Sequence, residues 1–180
     1  MRMLGSESAT SYGIPAGDLD GDGDWDVAVG NDQAPNMLFR NDGGVFVAAG
    51  TFGGVNEPTR SITLADVDSN GTLDILITNR GASNEIVLNG GNWDFTKVVH
   101  FGTTDDSTIS VAVADMNEDG FADLVLANRD GQANAVYFGD GRLGWNSSAA
   151  FGTGSDETRA VAVADVDGDG HLDVITGNIG

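Results

Sequence analysis

The sequence predicts an all-β chain built from repeated four-stranded antiparallel units, and three observations lead to this prediction. First, four segments align without gaps, and their first aspartates lie 48, 49 and 50 residues apart. Second, 23 of the 28 acidic residues are Asp, which favours turns, and only 5 are Glu, which favours helices. Third, no stretch of the sequence keeps the 3.6-residue spacing of apolar residues that an amphipathic helix requires.

Each unit is predicted to begin with two strands that flank an acidic turn. The first strand is small and alternates apolar residues with Ser, Thr or Ala, as in residues 61–65. The second strand is a continuous apolar run, as in residues 74–78 and 123–127. Such a run is expected of a strand that is buried on both faces.

The second half of each unit is predicted to contain a third strand, a Gly-rich turn and a fourth strand. The third strands are expected at 36–39, 85–88 and 135–138. A Phe-Gly pair ends the fourth strand, and its Gly lies 13 residues before the next acidic turn; these pairs are 52–53, 101–102 and 151–152. An Asn follows each acidic turn at a fixed distance, at Asn31, Asn79, Asn128 and Asn178.

Four antiparallel strands that recur every 48 to 50 residues describe the blades of a β-propeller. We expect a single domain over residues 1–180, with repeats at 6–53, 54–102, 103–152 and 153–180, the last of which is incomplete. The chain is predicted to open near the end of a fourth strand, at Met3-Leu4-Gly5, and to stop after a second strand. The chain is therefore predicted to contain about three and a half blades, since one unit has only its inner pair of strands.

The acidic turns carry the pattern D-x-[DN]-x-[DN]-G-x-x-D in all four units. Alternate side chains place their oxygens on one side of a tight turn, and Ca²⁺ takes about six to eight oxygen ligands in irregular geometry. The expected metal ligands are Asp18, Asp20, Asp22, Asp24 and Asp26 in the first loop, Asp66, Asp68, Asn70, Thr72 and Asp74 in the second, Asp115, Asn117, Asp119, Phe121 and Asp123 in the third, and Asp165, Asp167, Asp169, His171 and Asp173 in the fourth. Position seven would contribute its backbone carbonyl. The sequence therefore predicts up to four calcium ions.

The EF-hand is the main rival for this pattern, and position twelve argues against it. An EF-hand needs a bidentate Glu at that position and helices on both sides. Here position twelve is Val29, Ile77, Leu126 and Thr176, all of them within predicted strands. The loops are therefore interpreted as calcium-binding β-hairpins that the Asp at position nine closes. The alternative that the acids only cap turns stays open.

The Phe-Gly pairs, together with turns such as ADVDGDGHLDV at residues 164–174, resemble the FG-GAP/VCBS repeats. These repeats occur in the propellers of integrin α-subunits and in many bacterial secreted and lectin-like proteins. The resemblance covers essentially the whole chain. It implies that the acidic turns bind calcium on one face of the propeller and that ligands bind on the opposite face or between blades. Complete propellers of that family usually have seven blades, so this chain departs from them in length.

Composition excludes several classes of function. The formal net charge of −20 argues against nucleic acid and anionic membranes as partners. With no Cys, the chain has no disulfide, no Cys-ligated zinc and no thiol nucleophile. No apolar run has the length of a membrane helix, so membrane insertion is not expected. His100 and His171 lie in no catalytic motif, so the chain is not expected to be an enzyme, although paired carboxylates for glycoside hydrolysis stay open.

The aromatic residues offer only weak candidates for a ligand site. Phe46, Phe95 and Trp145 lie at one equivalent position before each Phe-Gly pair and are expected to pack in the core. Trp25 aligns with apolar residues of the other loops and is expected to be partly buried. Trp93 has no equivalent in the other repeats and is the aromatic residue most available to a ligand. Arg60 and Arg159, which are equivalent, are expected to pair with nearby acids rather than to face a central channel.

The function predicted from these patterns is an extracellular binding or adhesion module stabilised by calcium, with an unidentified protein or glycan as its ligand. The alternatives are a lectin-like propeller that binds carbohydrate and a lyase or glycosidase on the same scaffold. The extracellular setting rests on the calcium loops, since the N-terminus lacks the apolar stretch of a signal peptide. A homodimer that completes the ring is expected, with a four-bladed monomer or a piece of a longer propeller as alternatives.

Overall fold

The computed structural model describes residue 4 and residues 8–179, and these residues form strands, turns and loops without any helix. The strands make four separate antiparallel sheets, which confirms the predicted all-β class and the propeller-like blades. Among the described residues no helix exists that could cross a membrane. Of the predicted opening strand end, Met3 and Gly5 lie outside the described residues.

Three sheets are complete blades, and the fourth is the inner half of a blade. Blade 1 contains β1 (Thr10–Gly13), β2 (Ala16–Gly17), β3 (Asp26–Asp32), β4 (Asn36–Asp42) and β5 (Val45–Phe52). Blade 2 contains β6 (Thr59–Ala65), β7 (Asp74–Asn79), β8 (Asn84–Leu88) and β9 (Lys97–Phe101). Blade 3 contains β10 (Thr108–Ala114), β11 (Asp123–Asn128), β12 (Asn134–Phe138) and β13 (Ser147–Phe151). The half-blade contains β14 (Thr158–Ala164) and β15 (Asp173–Asn178).

Blade 1 differs from the others in its innermost strand, which is divided into β1 and β2. The division falls at Ile14 and Pro15, and proline has no backbone N–H to donate to the neighbouring strand. The Pro15 carbonyl still accepts a hydrogen bond from the Ala28 N–H at 3.2 Å. Both short strands pair with β3, so the inner strand continues on either side of the break.

Two apolar cores lie between the blades rather than inside them. The core between blades 1 and 2 contains Leu19, Ala28, Leu38, Phe52, Ile62, Ile75, Ile77 and Val87. The core between blades 2 and 3 contains Val67, Leu76, Ile86, Leu88, Phe101, Val111, Leu124, Leu126 and Trp145. Successive residues of β7 alternate between the two cores, so this strand is buried on both faces as the sequence predicts.

Two glycines permit the close approach of neighbouring blades. Gly30 lies against the side chain of Ile62, so a Cβ at this position would overlap it. Gly53, the second residue of a Phe-Gly pair, has φ of +67°, a left-handed conformation that favours glycine. A Cβ at Gly53 would also overlap Ile77 of the next blade. This Phe-Gly pair therefore combines a buried ring with a residue that leaves room for the following blade.

Buried asparagines join neighbouring blades at the edge opposite the acidic turns. The Asn84 Oδ1 accepts a hydrogen bond from the Asn79 N–H at 2.8 Å, and its Nδ2 donates to Thr108 Oγ1 of the next blade at 2.9 Å. Asn134 repeats both contacts, with the Asn128 N–H at 2.8 Å and Thr158 Oγ1 at 2.9 Å. The Asn at a fixed distance after each acidic turn instead uses its side chain within its own blade, since the Nδ2 groups of Asn31, Asn79 and Asn128 each donate to a carbonyl of the turn that follows, at 2.7, 2.7 and 2.9 Å.

An ion-pair network reinforces the same edge. Arg80 donates two hydrogen bonds to Asp130, at 2.7 and 2.9 Å, and so ties blade 2 to blade 3. Arg129 lies 3.2 Å from Glu157, the last residue before the half-blade. The hydrogen bond from Arg80 lowers the pKa of Asp130 to about 2. Arg60 lies 2.8 Å from Asp32, which confirms its predicted pairing with a nearby acid.

The predicted environments of the aromatic side chains are partly wrong. Trp145 is buried, and its Nε1 donates to the Ala122 carbonyl at 3.0 Å. Phe46, at the equivalent position, is 40 % exposed because it lies on the outermost strand of its blade. Trp25 was expected to be partly buried and is 68 % exposed. Trp93 was expected to be available to a ligand, but it packs edge-on against Phe95 at 5.5 Å, beside the core of blades 1 and 2.

Replacing Asn84 by Ala should destabilise the fold, because the Asn79 N–H and the Thr108 hydroxyl would then lose a buried partner. The expected loss is about 1–3 kcal/mol of unfolding free energy, measured by urea denaturation. Asn146→Ala is the matched control, since Asn146 is exposed and should change stability by less than about 0.5 kcal/mol. Equal effects of the two substitutions would contradict the role given to Asn84.

Asp130→Asn should destabilise the chain only above the pH at which Asp130 is protonated. The folded pKa of about 2 lies below the usual 3.8, so the ionised carboxylate contributes stability above pH 3.8, and this contribution is lost as the pH falls through 2. At pH 6 the expected difference from the wild type is at most about 1 kcal/mol, because the pair is partly exposed. Denaturation at pH 6, 4 and 2.5 measures it, and a pH-independent difference would contradict the assignment.

Candidate metal centres

The four acidic loops lie on one edge of the arc of blades. Each loop joins the first strand of its sheet to the second, and so all four leave their sheets at the same end; they cover residues 18–25, 66–73, 115–122 and 165–172. The turns between third and fourth strands lie at this end too, whereas the Phe-Gly pairs lie at the other end. The repeat thus concentrates much of the negative charge of the chain on one edge.

The aspartate at position nine holds each loop to its blade. Asp74 is fully buried, and its two carboxylate oxygens accept hydrogen bonds from the Val67 N–H at 2.9 Å and the Asn89 N–H at 2.8 Å. Asp26 and Asp123 make the same two contacts in blades 1 and 3. The carboxylate therefore links the loop to the turn between the third and fourth strands. Sequence reasoning assigned this residue only the role of a closing metal ligand, which stays a prediction.

Burial makes ionisation of this aspartate unfavourable. Desolvation is the main cause that raises the pKa of Asp74 to about 6; the charges of Asp68 and Asp66 add to it, and the two backbone hydrogen bonds act in the opposite direction. Desolvation also raises the pKa of Asp26. A cation beside these carboxylates would favour their ionised form, because opposite charges in contact stabilise one another.

Backbone N–H groups fix the other loop side chains. The first Asp accepts a hydrogen bond from the Gly at position six in every loop, for example Gly71 N–H to Asp66 Oδ2 at 2.8 Å. The side chain at position five accepts one from the N–H at position seven, for example Thr72 N–H to Asn70 Oδ1 at 2.8 Å. Because a carboxylate oxygen has more than one acceptor position, it can keep such a bond and still bind a cation.

Three of the four loops gather three carboxylates closely enough to hold a metal ion. The groups are Asp18, Asp20 and Asp22; Asp66, Asp68 and Asp74; and Asp165, Asp167 and Asp173. Within each group the ligand oxygens lie within 4.8 Å of one another. Two oxygens on opposite sides of a Ca²⁺ ion are about 5 Å apart, since each Ca–O distance is about 2.3–2.6 Å. The spacing and the all-oxygen donor set therefore fit Ca²⁺.

The third loop lacks a group of three carboxylates among the described residues. Its third position is Asn117, whose Nδ2 donates to Asp119 Oδ2 at 2.9 Å, so an amide takes the place of an acid there. Asp115 and Asp119 remain on the loop, and Asp123 is fully buried. The second loop also has an amide, Asn70, whose Nδ2 donates to the Asn89 carbonyl at 3.0 Å.

The side chains at position seven of the loops make contacts outside the predicted metal site. This is expected of residues that would bind a metal ion only through the backbone carbonyl. Asp24 accepts a hydrogen bond from the Gly43 N–H at 3.0 Å. His171 lies with its Nδ1 2.6 Å from Glu118 Oε1, so this exposed pair connects loops three and four. The ring of Phe121 lies against Gly141.

Sequence reasoning missed Asn89, which organises the second loop. Besides its bond to Asp74, its Nδ2 donates to the Leu19 carbonyl of blade 1 at 2.8 Å, and its own carbonyl accepts from Thr72 Oγ1 at 2.6 Å. The sequence marks Asn89 only as the start of a Gly-rich turn. At the equivalent place blade 1 has Asn41, whose N–H also binds the aspartate at position nine, whereas blade 3 has Gly139, so the repeat gives only a partial signal for this role.

Comparison with known protein families agrees with the internal repeat. A family described as FG-GAP-like repeat matches the chain three times, at residues 18–77, 66–126 and 115–176. Each match begins at the first Asp of one acidic loop and ends in the second strand of the following sheet. A search among curated proteins finds no significant match. Since the three matches together cover most of its residues, the chain belongs to the FG-GAP-like repeat family.

Proposed function

We propose that the chain is a calcium-binding propeller module that recognises a protein or glycan outside the cell. The observation that carries the proposal is the group of three carboxylates that recurs in loops one, two and four. Carboxylate oxygens are the ligands that Ca²⁺ prefers, and a chain without Cys offers no thiolate ligand for softer metals. Millimolar extracellular calcium would fill such exposed loops, which supports an extracellular setting.

Electrostatics gives the ion a structural role. Carboxylates packed this closely repel one another, and the formal net charge of the chain is −20. Four Ca²⁺ ions would add eight positive charges and reduce the net charge to −12. The ions would stabilise the acidic loops at one edge. A ligand would then bind to the faces of the blades or to the clefts between them. The proposal includes no catalytic step, and turnover of glycosidase or lyase substrates would contradict it.

EDTA should lower the melting temperature, because a ligand that binds only the folded state stabilises it. At a concentration 100 times its Kd, one ion contributes about 2.7 kcal/mol. For a chain of this size the corresponding shift is roughly 5–10 °C, measured by circular dichroism. Ca²⁺ should restore the transition better than Mg²⁺, which requires a smaller octahedral site. A melting curve that EDTA does not change would argue against the proposal.

Loops one and four should bind calcium more tightly than loops two and three, where an amide replaces one acid. The double variant Asp165→Asn/Asp167→Asn should therefore lose one of the tighter sites in calorimetric titration. The control is Asp42→Asn/Asp105→Asn, which changes the net charge equally at exposed positions outside the loops. Equal losses in both variants would show that net charge, rather than the loop, controls binding.

The lectin-like alternative gains support from one residue. Trp25 is 68 % exposed and directly precedes Asp26 at the end of loop one. A flat aromatic ring beside a bound cation suits a sugar, whose hydroxyls can bind the ion while its apolar face stacks on the ring. If the ligand is a glycan, Trp25→Ala should lose most of the signal on a glycan array, whereas Phe46→Ala should retain it. A wild-type chain that binds no glycan would reject this alternative and leave a protein ligand.

A further inference from the structure

We propose that a groove of blade 2, beside the second acidic loop, binds one ring of a neutral sugar. The groove lies between this loop and the turn that joins the third strand to the fourth, and its cavity has a volume of about 290 Å³. The side chains that line it and carry the argument are Asp68, Asn70, Leu88, Asp94, Thr96 and Lys97. We call it the blade 2 groove.

The blade 2 groove is open although blade 2 has a neighbour on each side. Apolar cores join this blade to blade 1 and to blade 3, and Leu88, at the floor of the groove, belongs to the second of these cores. Blade 3 places four residues at equivalent positions of a cavity of its own, namely Asn117, Asp119, Phe138 and Ser147. The groove is therefore a feature of the repeat.

One wall of the groove is a turn that holds Asp94 in a fixed position. The Gly90 N–H donates to the Asp94 carbonyl at 2.8 Å, and the Asp94 N–H donates to the Gly91 carbonyl at 3.1 Å. The Asp94 Oδ1 accepts a hydrogen bond from Thr96 Oγ1 at 2.8 Å. The Asp94 Oδ2 accepts none from the residues that the structure describes, so one carboxylate oxygen orients the side chain and the other is available to a ligand.

The opposite wall is the acidic loop itself. The Asp68 Oδ1 accepts a hydrogen bond from the Asn70 N–H at 3.2 Å. Asp68 also belongs to the group of three carboxylates that it forms with Asp66 and Asp74. A calcium ion bound by this group would fix the wall of the groove. The inference therefore rests on the proposed function for its calcium dependence, but the groove itself is formed by the chain alone.

Lys97 lies at the rim of the groove and is the only lysine of the chain. It is exposed at the first residue of β9, and its ammonium group forms no salt bridge with any residue in the described part of the chain. Four arginines, in contrast, each pair with an acid: Arg40, Arg60, Arg80 and Arg129. In an acidic chain, a cation that lines a cavity without an ionic partner is a candidate donor to a ligand.

The groove thus combines hydrogen-bond acceptors and a donor above an apolar floor. The hydroxyl groups of a sugar can donate to Asp68 and Asp94 and accept from Lys97. An anionic ligand would be repelled by the two carboxylates and by the net charge of −20, and a cationic ligand would be repelled by Lys97. The cavity is close to the lower limit of about 300 Å³ for small-molecule pockets, so it suits a single ring.

Two-dimensional NMR of the ¹⁵N-labelled chain in calcium buffer tests the proposal. The probes are glucose, galactose, mannose and N-acetylglucosamine, with glucuronate as the anionic counterpart of glucose. At least one neutral sugar should shift the amide resonances of residues 89–97, and glucuronate should bind at least tenfold more weakly than that sugar. The proposal is overturned if no neutral sugar shifts these resonances, or if glucuronate binds as tightly.

Two substitutions locate the binding site. Lys97→Ala and Asp94→Ala should each raise the Kd of the bound sugar by about tenfold or more, because each removes a hydrogen bond to a charged group. The matched controls are Arg159→Ala and Asp105→Ala, which change the net charge equally at exposed positions near the opposite edge and should keep the wild-type Kd. Equal effects of substitutions and controls, or no effect of either substitution in variants that circular dichroism shows to be folded, would overturn the proposal.

Counting bound calcium by native mass spectrometry separates this inference from the proposed function. EDTA should weaken sugar binding, since the wall that contains Asp68 would lose its ion. A chain that binds calcium but no neutral sugar would overturn the inference and leave the metal sites. A chain that binds the sugar at residues 89–97 but carries no calcium would confirm the groove and contradict the proposed metal sites.

Discussion

The loop edge of this protein depends on a buried carboxylate at the first residue of the second strand in each complete blade. In blade 2, Asp74 accepts hydrogen bonds from the loop at Val67 and from the turn at Asn89, and so joins two connections that are distant in sequence. The same bonds bring the other loop acids into a small volume, where their repulsion opposes folding. Neutral backbone N–H groups thus hold the negatively charged loop carboxylates in place. A bound cation would be the simplest way to compensate their charge.

The blade interfaces follow from the same repeat. Each second strand alternates its side chains between two neighbouring blades, so a single blade has no core of its own and depends on its neighbours. Buried asparagines and the Arg80–Asp130 pair add polar contacts between blades at the opposite edge. The half-blade shows the consequence, because its second strand is largely exposed whereas β7 and β11 are fully buried.

Strand order, loop positions and blade number could be predicted from the sequence because four units align without gaps. Features without an equivalent in the other units could not. The break at Pro15 occurs only in blade 1, and among the hydrogen bonds of Asn89 the one to the Leu19 carbonyl is not repeated by its counterpart Asn41. The exposure of Trp25 escaped prediction because the aligned residues of the other loops are apolar and suggest a buried position. The packing of Trp93 against Phe95 also escaped prediction, because this contact depends on the path of an irregular turn.

Native mass spectrometry of the chain equilibrated with calcium can decide whether the acidic loops bind metal, because it counts bound ions without relying on stability. We expect at least three calcium ions per chain, one for each group of three carboxylates, and a fourth, weaker ion in the loop that contains Asn117. Magnesium at the same concentration should give lower occupancy. If the chain carried no calcium, or bound both ions equally, the loops would not be calcium sites, and the acidic turns would serve only to cap the strands.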